Sequence, residues 1–255
     1  MTDSQFEFYT ASDTAGSSRP MLFCIGVGPG NPELMTVQAV RTVRCVDCLA
    51  VPVANEDQIS LAHTVVQPYL ADQENQPAVL PLLFPMSGDS AVRDRAHRAA
   101  AERVIGQLAL GDSVAMITIG DPTLYSTCFY VKDAVEAAGY PVQVLPGIPS
   151  VTAAAARAGI ALSEQRERVH ILPGVRGFED IRRALESPDI QTLVVMKAGN
   201  VIDVVRSWLS EHPVCQTAVI ISRLGFSDER IAALDQTEIG ADWPYFTTMI
   251  IKKKG

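Results

Sequence analysis

The sequence is short of the features that mark several protein classes. No run of eighteen consecutive apolar residues occurs, so no membrane span is predicted. The N-terminus lacks a basic region followed by an apolar core, so no secretory signal is expected and the cytoplasm is the expected location. Basic residues are in deficit: 21 Lys and Arg stand against 29 Asp and Glu, a formal net charge of −8. A broad nucleic-acid footprint needs a basic excess, so neither nucleic acid nor membrane is an expected partner. Small anionic ligands stay open, because a few local cations or helix N-termini hold a carboxylate. The 5 cysteines are odd in number and irregularly spaced, which excludes a disulfide framework. Cys45 and Cys48 match C-x-x-C but have no second pair and no His at ligand spacing, whereas a structural zinc takes four ligands. Two ordinary thiols near a helix end are expected there. His63, His97, His170 and His212 are isolated, so no metal site is expected and none of them is assigned a role.

What is present is a normal apolar share of 47% over 255 residues, enough for one large domain or two small ones. Residues 1–19 are rich in Ser, Thr, Asp and Ala without periodicity and read as a disordered tail. Met21 to Val27 is a short apolar run ending in glycines, a buried strand. A helix is expected from Pro32 to about Cys45, then a strand from Cys48 to Val53, a helix from Ser60 to Tyr69 and an extended stretch from Val79 to Phe84. Ser87 to Ser90 is a turn able to cap a helix from Ala91 to Leu110. A strand over 114–119, a helix over 123–138 and a strand over 142–145 follow. Strands alternating with helices predict an α/β fold with a mostly parallel N-terminal sheet. The breaker-rich Pro146-Gly147-Ile148-Pro149 marks the expected boundary between domains at 20–146 and 147–255. Beyond it, helices over 150–158, 178–186 and 201–209 and strands over 169–172, 192–196, 218–222, 230–233 and 245–251 suggest a mixed C-terminal sheet.

Three turns follow strands. Gly26-Val27-Gly28-Pro29-Gly30-Asn31-Pro32-Glu33-Leu34 presents free amides to a close ligand. It is not the dinucleotide fingerprint, because Gly30 comes two residues after Gly28, and no G-K-[ST] follows for a P-loop. Gly120-Asp121-Pro122-Thr123-Leu124-Tyr125-Ser126-Thr127 lies at the carboxyl end of a central strand, where ligands of open parallel sheets gather. Pro146-Gly147-Ile148-Pro149-Ser150 opens a helix that Ser150 could cap. Each turn alone also reads as an ordinary structural turn.

In this order and spacing the three turns resemble the tetrapyrrole methylases. Leu83-Phe84-Pro85-Met86-Ser87 and Pro244-Tyr245-Phe246-Thr247-Thr248 look like the branch that methylates precorrin-2, or cobalt-factor II, at C20 in corrin synthesis. The resemblance covers residues 21–252. It implies a two-domain α/β enzyme, a homodimer, with S-adenosylmethionine folded between domains and no metal required. The cofactor contacts it implies are Pro29, Gly120, Asp121, Leu124, Ser126, Thr127, Pro149, Ser150, Met196, Arg223, Leu224 and Thr248. Asn31 departs from the family's usual Asp, keeping the hydrogen-bonding shape and dropping the charge.

The sulfonium would make its methyl carbon electrophilic, so the cofactor carries the difficult step and the protein supplies alignment. A proton must then leave the ring, and Asp121 and Tyr125 are the candidate catalytic groups. The acceptor bears carboxylates; Arg93, Arg95 and Arg98 on one helix could meet them, although a solvated helix face is the favoured reading. Another tetrapyrrole acceptor, such as a different precorrin or uroporphyrinogen III, stays open. So does a non-catalytic nucleotide-binding module, since fold alone does not prove an enzyme.

Overall fold

The structure, a computed structural model, describes residues 19–55, 57, 59–173 and 177–254. The expected tail over 1–19 lies outside the described residues apart from Arg19. The chain groups into two compact units. One holds the residues up to Gly28 and then Pro32–Ile148; the other holds Pro29–Asn31 and everything from Pro149.

The first unit is a five-stranded sheet in the order β3-β2-β4-β1-β5, formed by β1 (Leu22–Gly26), β2 (Cys48–Val53), β3 (Ala78–Leu83), β4 (Val114–Thr118) and β5 (Val142–Leu145). Every pairing in it is parallel. The apolar runs are continuous because helices cover both faces, so neither side of β1 reaches water. Helices α3 (Ser90–Leu110) and α4 (Cys128–Ala137) close one face. There Val104, Leu108, Val131 and Val135 pack on Leu22, Cys24, Ala50 and Met116. Each fully buried aliphatic side chain there contributes roughly 1.5–3 kcal/mol. In this layer the Cys24 thiol hydrogen-bonds Cys128, and that bond together with burial pushes its pKa up. Strand β3 is an edge strand whose Val79 and Leu83 are exposed; its Pro81 is tolerated because an edge has one unpaired side.

Helices α1 (Val37–Val43) and α2 (Leu61–Leu70) complete the unit. The single helix expected from Pro32 is broken. Pro32–Leu34 makes a 3-10 turn, and Thr36 then starts α1 afresh by accepting the Ala39 amide at 3.1 Å. Asp89, at 2.8 Å from the Ala91 amide, caps α3. Helix α4 begins at Cys128 rather than at Thr123, because Thr123 is held in a turn by Asp121.

The second unit contains α5 (Ser150–Ala158), β6 (Val169–Leu172), α6 (Glu179–Glu186), β7 (Thr192–Met196), α7 (Ile202–Glu211), β8 (Cys215–Ser222), β9 (Arg230–Ala233) and β10 (Thr247–Lys253). The sheet order is β6-β7-β10-β8-β9. Only β6 and β7 pair in parallel, so the expected mixed sheet is observed. Ile181, Leu185 and Val205 of α6 and α7 pack on Leu193, Val195, Ile220, Met249 and Ile251. By strand alternation Met196, Ile221 and Thr248 point to the opposite face, where α5 meets β10. Ser150 is the first helical residue of α5, not its cap; Pro149 takes the cap position and has no side chain with which to bond the first amides.

Candidate functional site

The strand order explains why two of the three turns crowd a third. Strand β1 lies between β4 and β5, so the segments leaving their carboxyl ends are neighbours. The Val27 amide donates to the Thr118 carbonyl at 2.9 Å. Gly28 and Gly120 then exchange two backbone hydrogen bonds, at 3.3 and 2.7 Å. A Cβ on Gly26 would lie 2.6 Å from the Gly120 oxygen and 2.7 Å from the Gly147 Cα. No side chain fits there, which is why glycine stands at both Gly26 and Gly147.

Asp121 fastens this arrangement. Its Oδ1 accepts the Thr123 amide at 2.8 Å and also the Thr123 hydroxyl, while its Oδ2 accepts the Gly147 amide at 2.8 Å. Both carboxylate oxygens are therefore committed to loop geometry. Ser126 is likewise engaged: its Oγ donates to the Thr118 hydroxyl at 3.2 Å and accepts the Cys128 amide at 3.2 Å, starting α4. Between them Tyr125 is exposed and left-handed, with φ 53. A non-glycine residue there costs on the order of 1–3 kcal/mol, and such conformations cluster at functional sites.

In the second unit β10 lies between β7 and β8, which brings distant residues to one sheet end. Met196 and Thr248 are direct register partners, and Thr248 faces Ile221 on its other side. The Arg223 amide donates to the Phe246 carbonyl at 2.8 Å, and the Ala198 amide to the Thr247 carbonyl at 2.9 Å. Lys197 and Arg223, which follow β7 and β8, are both left-handed, with φ 58 and 49. Arg223 pairs with Asp228 and its guanidinium lies 5.1 Å from the Phe226 ring centre. The segment Pro29–Asn31 packs here: a Cβ on Gly225 would meet the Gly30 carbonyl carbon at 3.0 Å, and one on Gly30 would strike the Phe226 ring at 2.7 Å. Glu229 braces this corner, accepting the Gly225 amide and the Arg157 Nε, each at 2.8 Å.

The expected site residues thus fall into two groups. Gly120, Asp121, Leu124, Tyr125, Ser126 and Thr127 share one loop of the first unit. Pro29, Met196, Arg223, Leu224 and Thr248 gather at one end of the second unit's sheet, and Pro149 and Ser150 begin the helix on the same sheet's face. Of the three arginines on α3, Arg93 folds back on the chain, its Nη1 donating to the Ser87 and Gly88 carbonyls at 2.9 Å each, while Arg95 and Arg98 are exposed. His97, to which sequence spacing assigns no role, stacks on Tyr130 and meets the Phe84 ring at a tilt. Only the packing of α3 against α4 reveals this, since no linear motif joins the three rings. Among the described residues no group of three or more His, Cys, Asp or Glu could hold a metal, and no helix is long and apolar enough to cross a membrane.

Comparisons with known proteins bear on the family and the fold. The family model described as Tetrapyrrole (Corrin/Porphyrin) Methylases matches residues 21–239. A cobalt-precorrin-2 C(20)-methyltransferase of Salmonella typhimurium is 28% identical over 234 residues, covering 91% of this chain and 96% of the relative. A probable cobalt-precorrin-2 C(20)-methyltransferase of Methanocaldococcus jannaschii is 31% identical with the same coverage. Among solved structures, a uroporphyrin-III C-methyl transferase from Thermus thermophilus, complexed with S-adenosyl homocysteine, superposes with a TM-score of 0.63 at 18% identity, covering 91% of this chain and 97% of the other. At that identity the likeness shows the fold.

Proposed function

The chain belongs to the tetrapyrrole (corrin/porphyrin) methylase family, and from that membership we propose that it methylates precorrin-2, or its cobalt form, at C20 in cobalamin biosynthesis. It is an S-adenosylmethionine-dependent methyltransferase with an anionic tetrapyrrole as acceptor. Relatives that bear the C(20)-methyltransferase name, matched over most of their length, support this choice of acceptor. The observation that carries the reading is the crowding of the three glycine turns, locked by Asp121, at the carboxyl end of a parallel sheet.

The residues present suit such a cofactor. Side-chain-free turns let a ligand approach the backbone, and the uncapped first amides of α5 suit a carboxylate. Met196 and Leu224 offer apolar surface, and Thr248 and Ser150 offer hydroxyls. When bound, the cofactor supplies an electrophilic methyl carbon on a sulfonium. By family resemblance, the residues proposed to contact it are Gly120, Asp121, Leu124, Ser126 and Thr127, and Pro29, Pro149, Ser150, Met196, Arg223, Leu224 and Thr248. Their contribution is alignment, the main requirement of an in-line displacement. Asp121 fixes the turns through its two occupied oxygens. Asp121, through the lone pair of Oδ2 that the Gly147 amide leaves unused, and Tyr125, as a phenol that takes up the proton only while releasing its own, are the groups proposed to handle the proton that leaves the ring after transfer.

The test is incubation with labelled S-adenosylmethionine and either metal-free or cobalt-containing precorrin-2, read by mass spectrometry. One added methyl at C20 is expected with one of the two. No methyl transfer to either, together with no heat on titration with S-adenosyl homocysteine, would overturn the proposal. A homodimer in the cytoplasm, active without added metal, completes the reading. Sedimentation velocity and an assay in chelator test those parts.

A further inference from the structure

Three rings distant in sequence meet on the first unit. Phe84 leaves the carboxyl end of β3 with its amide tied to the Val53 carbonyl at 2.8 Å. His97 lies on α3 and Tyr130 in the first turn of α4. The imidazole stacks on the Tyr130 ring at a centroid distance of 4.1 Å and an interplanar angle of 11°, and it meets the Phe84 ring at 5.9 Å and 50°. A buried ring stack would need no explanation beyond core packing. This one opens on one side: Phe84 is partly buried against the core and His97 is half-buried, but Tyr130 is 59% exposed, and Phe129 beside it is 37% exposed. Leu83 and Met86, which flank Phe84, are exposed as well, as is Tyr125 on the loop before α4. Exposed large apolar side chains therefore stand on the segments that leave the carboxyl ends of β3 and β4, the end of a parallel sheet at which ligands bind.

A cation stands by the stack. Arg93, one helical turn before His97, ties the loop after Phe84 to α3 through its contacts to Ser87 and Gly88, and its charge is felt at His97. Burial favours the neutral form of His97, so its ring acts as a flat apolar surface near neutral pH rather than as a further cation. An exposed ring face with a cation near it matches one ligand chemistry: a planar conjugated macrocycle edged with carboxylates.

We propose that the Phe84–His97–Tyr130 stack is an acceptor subsite that receives one face of the tetrapyrrole, with Arg93 beside it for a peripheral carboxylate. This rests on the methyltransferase reading, because that reading supplies a flat anionic acceptor. The stack sets where the macrocycle lies, so it governs acceptor affinity and selection without touching the cofactor.

The probe is uroporphyrin III, a stable carboxylate-bearing porphyrin, titrated into the full chain and followed by its absorbance and fluorescence. Tyr130→Ala and His97→Ala should each weaken its binding about tenfold, the scale of one lost ring stack, and raise KM for the methyl acceptor similarly while kcat stays within about twofold. Tyr130→Phe, which keeps the ring, should behave as the parent, and S-adenosyl homocysteine affinity should be unchanged in all three. The subsite is overturned if the parent does not bind the porphyrin. It is equally overturned if both alanine variants bind it unchanged, or if they lose cofactor affinity in parallel. A shift in oligomeric state with porphyrin binding intact would also overturn it and assign the patch to contacts between copies. Porphyrin binding through these rings without any methyl transfer would sink the proposed function and leave the subsite standing; methyl transfer indifferent to the variants would do the reverse.

Discussion

The Asp121 carboxylate and the Gly147 amide, 26 residues apart in the chain, meet at 2.8 Å and join the loop after β4 to the turn after β5. With Oδ1 holding Thr123 at the same time, this one side chain sets the shape of two of the three turns. Its first duty is therefore positional. Asp121→Ala leaves the Gly147 amide without its acceptor and should cost roughly 1–3 kcal/mol in urea unfolding, with weaker S-adenosyl homocysteine binding alongside. Asp121→Asn keeps one acceptor and should fall between the two in both measurements. An alanine variant with parent-like stability and affinity would mean that the bond holds nothing in place.

The glycines of these turns differ in kind from the one in α3, and a pair of substitutions separates them. A methyl on Gly26 would lie within 2.7 Å of two backbone groups that have no room to retreat, so Gly26→Ala should destabilise by about 1–3 kcal/mol or prevent folding. Gly106 lies inside α3 with nothing within 4 Å of a built Cβ. Gly106→Ala should accordingly stabilise the protein by about 0.5–1 kcal/mol. Thermal unfolding of the two variants tests both signs at once.

Much of this arrangement is legible in the chain. The runs Leu22–Ile25 and Val114–Ile117 are apolar without interruption because parallel strands are buried on both faces, and that pattern survives in sequence. The mixed order of the second sheet follows from its several short strands near the C-terminus. The break at Met35–Thr36 is less legible, because Leu34, Val37 and Val40 keep helical spacing across it and that pattern predicts one continuous helix. The late start of α4 was not legible. Local propensity favours helix from Thr123, and the turn that replaces it depends on an aspartate whose second oxygen is engaged far along the chain. The His97 stack was hidden for the same reason: its partners belong to a loop and a helix that only tertiary packing brings near.

Burial lowers the pKa of His63, and it is the first cause of the lowering at His97, where Arg93 acts in the same direction and Asp94 against it. A histidine whose folded pKa lies below its unfolded value binds fewer protons in the folded state. Stability is then fully present above the unfolded value of about 6.5 and declines as pH falls from there toward the folded value. Unfolding free energy should therefore drop between pH 7 and 5, and the drop should be smaller in His63→Gln, whose replacement does not titrate. Equal pH slopes for parent and variant would remove His63 from the account.

The cysteines offer a check on the core that needs no substrate. Cys45 is exposed, Cys215 is partly buried, and Cys24, Cys48 and Cys128 are buried and free of disulfides. Burial with the nearby Asp112 and Asp47 carboxylates pushes the Cys48 thiol up to about 11, and the hydrogen bond to Cys128 together with burial pushes Cys24 up as well. Thiolate, not thiol, attacks a disulfide reagent, so inaccessibility and proton retention act in the same direction. Titration of the native protein with an aromatic disulfide at pH 8 should show one fast thiol, lost in Cys45→Ser, and a slower one from Cys215. The remaining three should react only at the rate of global unfolding and speed up together in urea, because Cys24, Cys48 and Cys128 belong to one core layer. Fast labelling of Cys24 in the native protein would show that the α3–α4 layer opens without unfolding the sheet, and the packing assigned to that face would then be wrong.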